Sequence, residues 1–454
     1  MAQTRFSYVL PQLKEIAGGV LEHAKQLGAS ACECDISEGF GLSVTVRKGE
    51  VDTLEHNRDK GIGITVYLGD RPKARRGSAS TSDFSSRAVR SAVEAALAIA
   101  RHTAEDDCAG PPEPELLAKS PPDLDLFHPW DLAVEEAIER TRRCEAAAFA
   151  LSRKIRNSEG ASISAQHFQY VLANSLGFLE GFQSSRHSLA CSVIAEEKGL
   201  MQRDDWYSNS RLPQNIAPPE ALGRYAGERA LARLRARKIS TRQCPVLFEA
   251  PVATQLMGSF VSAVSGASLY RKASFLVDSL GKSVFSDIVT LEERAHEPQA
   301  LASSPFDDEG VATGNRTVVR AGVLEGYFLG CYSARKLGMR TTGNAGGVHN
   351  LVLRRADGAA APDFRGMLRE LGTGLLVTEM LGQGTNLVTG DYSRGAAGYW
   401  VESGEIRYPV EEITIAGNLS DMFRGIAAIG SDVVVRGARQ TGSILVDRMT
   451  IAGH

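Results

Sequence analysis

Nothing in the 454 residues approaches the run of about 18 apolar side chains that a helix needs to cross a bilayer. A membrane-spanning helix is therefore not expected. The N-terminal stretch MAQTRFSYVLPQLKEIAGGVLEHAK is interrupted by Lys14, Glu15 and Glu22, unlike the apolar centre of a signal peptide. The cytoplasm is the expected compartment. An excess of positive charge is missing as well: 51 Lys and Arg face 54 Asp and Glu, for a net charge of −3. Non-specific affinity for phosphate backbones needs a cationic surface, so nucleic acid is not expected as a partner. The local basic run RALARLRARK (229–238) reads as solvated charge near a helix C-terminus.

Cysteine is sparse and scattered. Its seven copies, Cys32, Cys34, Cys108, Cys144, Cys191, Cys244 and Cys331, form no disulfide framework, and Cys32-x-Cys34 lacks the second half of a zinc site. In a strand those two thiols share one face and read as buried packing. The nine histidines include no pair four or five residues apart. HEPQAL begins as a zinc motif would, but Pro298 breaks the helix and no second His follows. Gly281-Lys282-Ser283 ends like a phosphate loop, but Leu276 stands where its first glycine belongs. GQGTNLVTGDYSRGAAG (382–398) has the wrong spacing for a dinucleotide turn, and G-x-S-x-G is absent. The carboxylates of DDEG (307–310) lack the alternation of a calcium loop and read as an exposed acidic turn. The residues alone display no active site.

What is present is organisation. Six of the 17 prolines lie in PPEPELLAKSPPDLDLFHP (111–129), an extended linker by composition. Before it come a helix, three β-rich runs and a second helix, SSRAVRSAVEAALAIARHTA, capped by Asp83 or a neighbouring Ser. After it the same order of elements recurs. From Cys244 onward short apolar strands alternate with glycine turns, and Ser403-Gly404 between YWVE and EIRYPV signals a hairpin. The expected class is α+β: two N-terminal helix-plus-antiparallel-sheet units, then a larger, mostly antiparallel β unit. The boundaries read as an N-terminal domain over 1–110, a linker over 111–130, a central domain over 131–240 and a C-terminal domain over 241–454.

One helix of the third unit stands out. QLMGSFVSAVSG, 255–266, places Leu256, Met257, Phe260, Val261 and Val264 on an apolar face. Its other face is Gly258, Ser259, Ser262, Ala263, Ser265 and Gly266, small and without an ionisable group. Such a face lets another backbone come close.

Two long phrases carry a specific likeness: PFDDEGVATGNRTVVRAGVLEGYFLGCYSARKLGMRTTGNAGG (305–347) and EMLGQGTNLVTGDYSRGAAGYWVESGEIRYPVEEITIAGNLSDMFRGI (379–426). Together with GIGITVYLGDRPKARRGSAST near the N-terminus, they resemble the TldD/PmbA family, once labelled modulators of DNA gyrase and now classed as metallopeptidases. GDYSRGAAGYWVE is similar to the PmbA branch, also called TldE. The resemblance implies that a TldD-type chain holds zinc with a His-Glu-x-x-x-His stretch on a helix of the third unit, the Glu serving as general base. Laid on this sequence, that stretch puts Met257 at the first His, Gly258 at the Glu and Ser262 at the second His. No His occurs between Ala253 and Glu292, and no Glu before Glu292 itself. The expectation is therefore a non-catalytic subunit without metal of its own, pairing with a TldD-type subunit that carries the zinc. Gly258, Ser262 and Gly266 are the candidate contacts for substrate or partner. The implied substrates are unfolded peptides, among them modified-peptide antibiotic precursors and an antitoxin. An exposed β edge suits such chains because it pairs with any main chain. Without its partner the chain is a candidate homodimer. One rival makes it an active metallopeptidase with ligands gathered from Cys331, His349 and the carboxylates at 307–309. Another makes it a regulatory binding protein acting on DNA gyrase.

Overall fold

The computed structural model describes residues 5–453. The first sheet has, in spatial order, β3 (Arg75–Thr81), β2 (Glu50–Leu68), β1 (Ala31–Arg47), β4 (Ile155–Asn174), β5 (Leu179–Glu197) and β6 (Leu200–Ser210), all antiparallel. The pairing of β1 with β4, from Glu33 opposite Asn174 to Val46 opposite Ala161, fuses the strands of both N-terminal units into one sheet. Alternation explains why one face is helical. Cys32, Cys34 and Ile36 of β1 point to α1 (Leu10–Gln26) and α2 (Ser86–His102). Leu42, Val44 and Val46 point, on the same face, to α3 (Val134–Phe149) and α4 (Pro219–Ala232). Ser85 caps α2, its hydroxyl accepting the N–H of Ala88. The thiols of Cys32 and Cys34 are free and buried, as their alternation implies.

α3 and α4 touch through glycine. A Cβ on Gly223 would overlap the carbonyl oxygen of Cys144 on the facing helix, and one on Gly227 would press on Leu151. Gly223→Ala is therefore expected to push the helices apart and cost about 1–3 kcal/mol, seen as a lower thermal midpoint. Gly18→Ala in α1, where nothing lies within 4 Å of the added methyl, is expected to be stabilising by up to about 1 kcal/mol.

The C-terminal part holds two further six-stranded sheets. One is β10 (Val323–Leu324), β9 (Arg316–Arg320), β8 (Val289–Arg294), β11 (Asn350–Arg355), β17 (Arg439–Thr441) and β16 (Val434–Arg436). The other is β14 (Glu405–Asn418), β13 (Asp391–Glu402), β12 (Gly374–Leu381), β7 (Arg242–Phe248), β18 (Ile444–Ala452) and β15 (Ile426–Ile429). Two pairings are parallel, β11 with β17 and β12 with β7; the rest are antiparallel. Positive φ at Ser403 (53°) and Gly404 (77°) closes the β13–β14 hairpin where the sequence signals it.

Between the two sheets runs α5 (Ala250–Ala263), whose Leu256, Met257 and Phe260 pack on both. The helix begins earlier and ends sooner than its sequence pattern predicts. The N–H of Gly266 donates to the carbonyl of Phe328 at 2.8 Å, and the N–H of Phe328 donates to that of Val264 at 3.1 Å. This bridge draws the chain out of the helix before α6 (Gly266–Tyr270). Among the described residues no helix is long and apolar enough to cross a membrane.

Candidate functional site

The three positions where the family stretch would place its ligands diverge. Met257 is only 3% exposed and belongs to the core. Ser262 is exposed near the C-terminal end of α5. Gly258 faces a cation: a Cβ on it would lie 2.8 Å from Nη1 of Arg439, whose guanidinium covers the helix there and donates to the carbonyl of Thr254 at 3.4 Å. One helical turn away, Nη1 of Arg394 on β13 donates to Oε1 of Gln255 at 2.9 Å. The Nε atoms of Arg394 and Arg439 are both buried without a hydrogen-bond partner. A buried thioether, a glycine covered by a guanidinium and an exposed hydroxyl do not fit a zinc ion, which needs converging imidazole, thiolate or carboxylate groups. Gly266 is buried, and a Cβ there would collide with Ser333 on α7 (Cys331–Lys336). The close approach that its small side chain permits is by the chain's own α7.

Arg439 opens onto a cleft of about 420 Å³ between β6 and the β16–β17 hairpin. Trp206, Tyr207, Arg211, Asn350, Arg436 and Arg439 are among its walls. The Arg436 guanidinium lies 4.6 Å from the Trp206 ring and 3.9 Å from the Tyr207 ring, and donates to the Tyr207 carbonyl at 3.4 Å. Arg211, only 7% exposed, donates to the carbonyls of Ala300, Ser185 and Leu301. Burial, with Arg186 adding to it, pulls its pKa down to about 10. Burial also lowers those of Arg436 and Arg439. Among the described residues, none of these three guanidiniums has a carboxylate at ion-pair distance.

Beyond Arg436 a smaller cavity, about 300 Å³, reaches Thr254 and Gln255 of α5. Here the basic run departs from the solvated charge its sequence predicts. Arg229 holds Glu249 with two bonds, 2.7 and 3.1 Å, and Asp204 at 3.0 Å. Arg233 reaches Asp204 at 3.7 Å and Glu379 at 2.5 Å. Apart from Glu379, these side chains are 11–13% exposed, because α4 packs its C-terminal end between the first sheet and the third unit. Arg235 alone of the three is out in solvent, pairing with Glu197.

The DDEG turn also differs from expectation. Asp307 is 2% exposed and accepts the N–H groups of Glu309, Val311 and Ala345, so it is a loop anchor. Burial, with Glu309 adding to it, pushes its pKa up to about 7. Glu309 accepts the N–H of Cys331, and His349 bonds to buried Glu293. These groups are committed to backbone and ion pairs. Among the described residues, Asp106, Asp107 and Cys108 form the one group whose ligand atoms lie within 4.8 Å of one another, and the Lys336 ammonium sits on both carboxylates. His454 lies outside the described residues. A separate cavity of about 670 Å³, between the first sheet and α7, is walled by Glu33, Asp35, Asp308 and Glu309. Burial, foremost, pushes Glu33 up to about 6.

Sequence reasoning named the α5 positions and did not name Arg211, Arg436 or Arg439. The one local signal was R-G-A-R at 436–439, where a turn with Gly437 at φ 60° sets the two arginines opposite each other.

The sequence matches three profiles, described as PmbA/TldA metallopeptidase domain 1 (residues 32–100), central domain (127–234) and C-terminal domain (241–453). It is 48% identical over 442 residues to Metalloprotease PmbA of Escherichia coli O157:H7, covering 97% of this chain and 96% of that protein. The fold superposes on a protein from Bacteroides thetaiotaomicron described as a modulator of DNA gyrase, with TM-score 0.91 and 24% identity over 98% of this chain and 99% of the other. It also superposes on TldE from Thermococcus kodakarensis, with TM-score 0.83 and 18% identity over 96% and 100% of the two chains. At such identities both structures speak for the fold alone.

Proposed function

Because the chain belongs to the PmbA/TldD metallopeptidase family, we propose that it is the zinc-free subunit of a two-chain peptidase of TldD/TldE type. The observation that carries this reading is the Arg439 guanidinium lying against Gly258. At the position where a TldD-type chain would present its general base, this chain presents no side chain and a fixed positive charge. A divalent cation placed there would meet repulsion and no ligand. The protease name of the relative then describes the assembly: a TldD-type subunit holds the zinc, whose Lewis acidity activates water toward a peptide bond. This chain contributes a wall of the shared chamber and contacts to an extended substrate.

Unfolded peptide is the proposed substrate class. β6 and β16 are both edge strands of their sheets and both border the cleft. Unpaired main-chain groups along an edge bind extended chains with little regard to sequence. The proposed compartment is the cytoplasm; seven free cysteines accord with a reducing one. At 24% identity the neighbour described as a gyrase modulator lends that activity no support here.

The test is expression of this chain alone and together with a TldD-type chain from the same cells. Zinc content, complex formation and cleavage of an unfolded peptide are measured for each. Alone, the chain is expected to carry no stoichiometric zinc and to cleave nothing. The pair is expected to co-purify and to cleave in a chelator-sensitive way. Near-stoichiometric zinc with chelator-sensitive cleavage by the isolated chain would overturn the proposal.

A further inference from the structure

We infer that the cleft between β6 and the β16–β17 hairpin binds the carboxylate of an extended peptide. The inference rests on the peptide-handling role above and adds the chemistry that the cleft recognises. Arg436 and Arg439 are directly paired across the hairpin. Like charges in opposing positions weaken a two-stranded ribbon, and here no carboxylate is paired with either among the described residues. Their neighbours behave otherwise. Arg203, Arg229, Arg233 and Arg235 each have a carboxylate partner. The cleft therefore holds Arg211, Arg436 and Arg439 as three guanidiniums without a counter-ion in contact. Asp205 and Glu249 act on Arg436 only from beyond ion-pair distance, and Glu297 at the rim lies 3.8 Å from Arg294.

Two further features point to an oxyanion. Nε of Arg439 is buried without an acceptor, and an unsatisfied buried donor is costly unless a ligand completes it. The rings of Trp206 and Tyr207 hold the Arg436 guanidinium in place before any ligand arrives. A planar carboxylate matches the fork of a guanidinium with two parallel hydrogen bonds. The edge strands along both walls favour a peptide as its bearer, since its main chain can pair with them while its carboxylate reaches the arginines. The net charge of −3 disfavours a long polyanion in the same cleft.

The experiment titrates the full-length chain calorimetrically with a short unfolded peptide bearing a free C-terminal carboxylate. Parallel arms use its C-terminal amide, a version with every Glu and Asp made Gln and Asn, inorganic phosphate, and a single-stranded oligonucleotide. Removing the responsible carboxylate is expected to weaken binding about tenfold or more, and the arms tell a chain end from a side chain. R436Q and R439Q, with unchanged circular dichroism, are each expected to weaken the acid peptide about tenfold while hardly changing the amidated, acid-free one. Equal binding of peptides with and without carboxylates overturns the inference, as does phosphate or oligonucleotide binding as tightly as the acid peptide. If pairing and cleavage with the TldD-type chain persist while carboxylate dependence is absent, this inference falls alone. If carboxylate dependence is found but no pair forms, the subunit reading falls and the site stands.

Discussion

Glu293→Ala is expected to lower the unfolding free energy by about 3–5 kcal/mol, the largest loss of any single substitution considered. Glu293 sits on β8 and is 1% exposed. Its Oε2 accepts from Nε of Arg316 on β9 at 2.7 Å. Its Oε1 accepts from Nδ2 of Asn344 at 2.7 Å and from the His349 N–H at 2.9 Å, with Nδ1 of His349 at 3.0 Å. One carboxylate thus joins two strands and the 341–349 loop, and its removal takes the acceptor from Nε of Arg316 and from the buried His349 N–H and leaves the Asn344 amide with Gly347 alone. The glycine-rich phrase TTGNAGG, in which Asn344 lies, is held in place from this point.

The pH dependence has a definite sign. Burial alone would raise the pKa of Glu293, but His349 and Arg316 outweigh it and hold it below the ordinary 4.5. A depressed carboxylate stabilises fully above its unfolded pKa and loses that contribution as pH falls through the folded value. Chemical denaturation of the wild type and of Glu293→Ala should therefore differ most at neutral pH and converge below about pH 4.5. Asp307 works in the opposite direction, since its pKa is raised to about 7 and its contribution is lost as pH rises toward that value. The comparison must for that reason be made variant against wild type at each pH. A gap that stays constant down to pH 3 would contradict the assignment.

Arg229→Ala is expected to cost about 3 kcal/mol, the low end for breaking a buried pair because Arg233 remains 3.7 Å from Asp204. The substitution strands Glu249 and leaves Asp204 paired with Arg233 alone; Asp204 lies on β6 and Glu249 at the start of α5. Glu249 has a raised pKa, chiefly from burial, even with Arg229 beside it. Without that cation it rises further, so the variant folds best with Glu249 protonated. Its stability deficit should be smaller at pH 5 than at pH 8. A deficit independent of pH would mean that the loss is one of packing against Trp206 and Tyr225, whose rings the guanidinium also covers.

Local periodicity carried most of the architecture. Alternation in ACECDIS, the Ser cap before SRAVRSAV and the Ser403-Gly404 turn each report on residues within one strand or one turn, and each element forms where its pattern lies. The chemistry at Met257, Gly258 and Ser262 was legible for the same reason: residue identity alone says that no imidazole or carboxylate is present. Other features were out of reach. The pattern of α5 does not contain its end, which the carbonyl of Phe328 decides. The basic run reads as surface charge until β6 and the residues before α5 bring Asp204 and Glu249 against it.

By itself, then, the amino-acid order determined the α+β class, the family and the absence of metal-binding groups on α5. Only the tertiary structure placed Arg439 over Gly258, bonded to a residue 185 positions earlier in the chain. It also set Arg211, Arg436 and Arg439 around one cleft. The physical reason is range. Helix and strand patterns couple neighbours a few residues apart through backbone geometry, whereas an unpaired charge becomes informative only once burial has decided which groups surround it and which counter-ions do not.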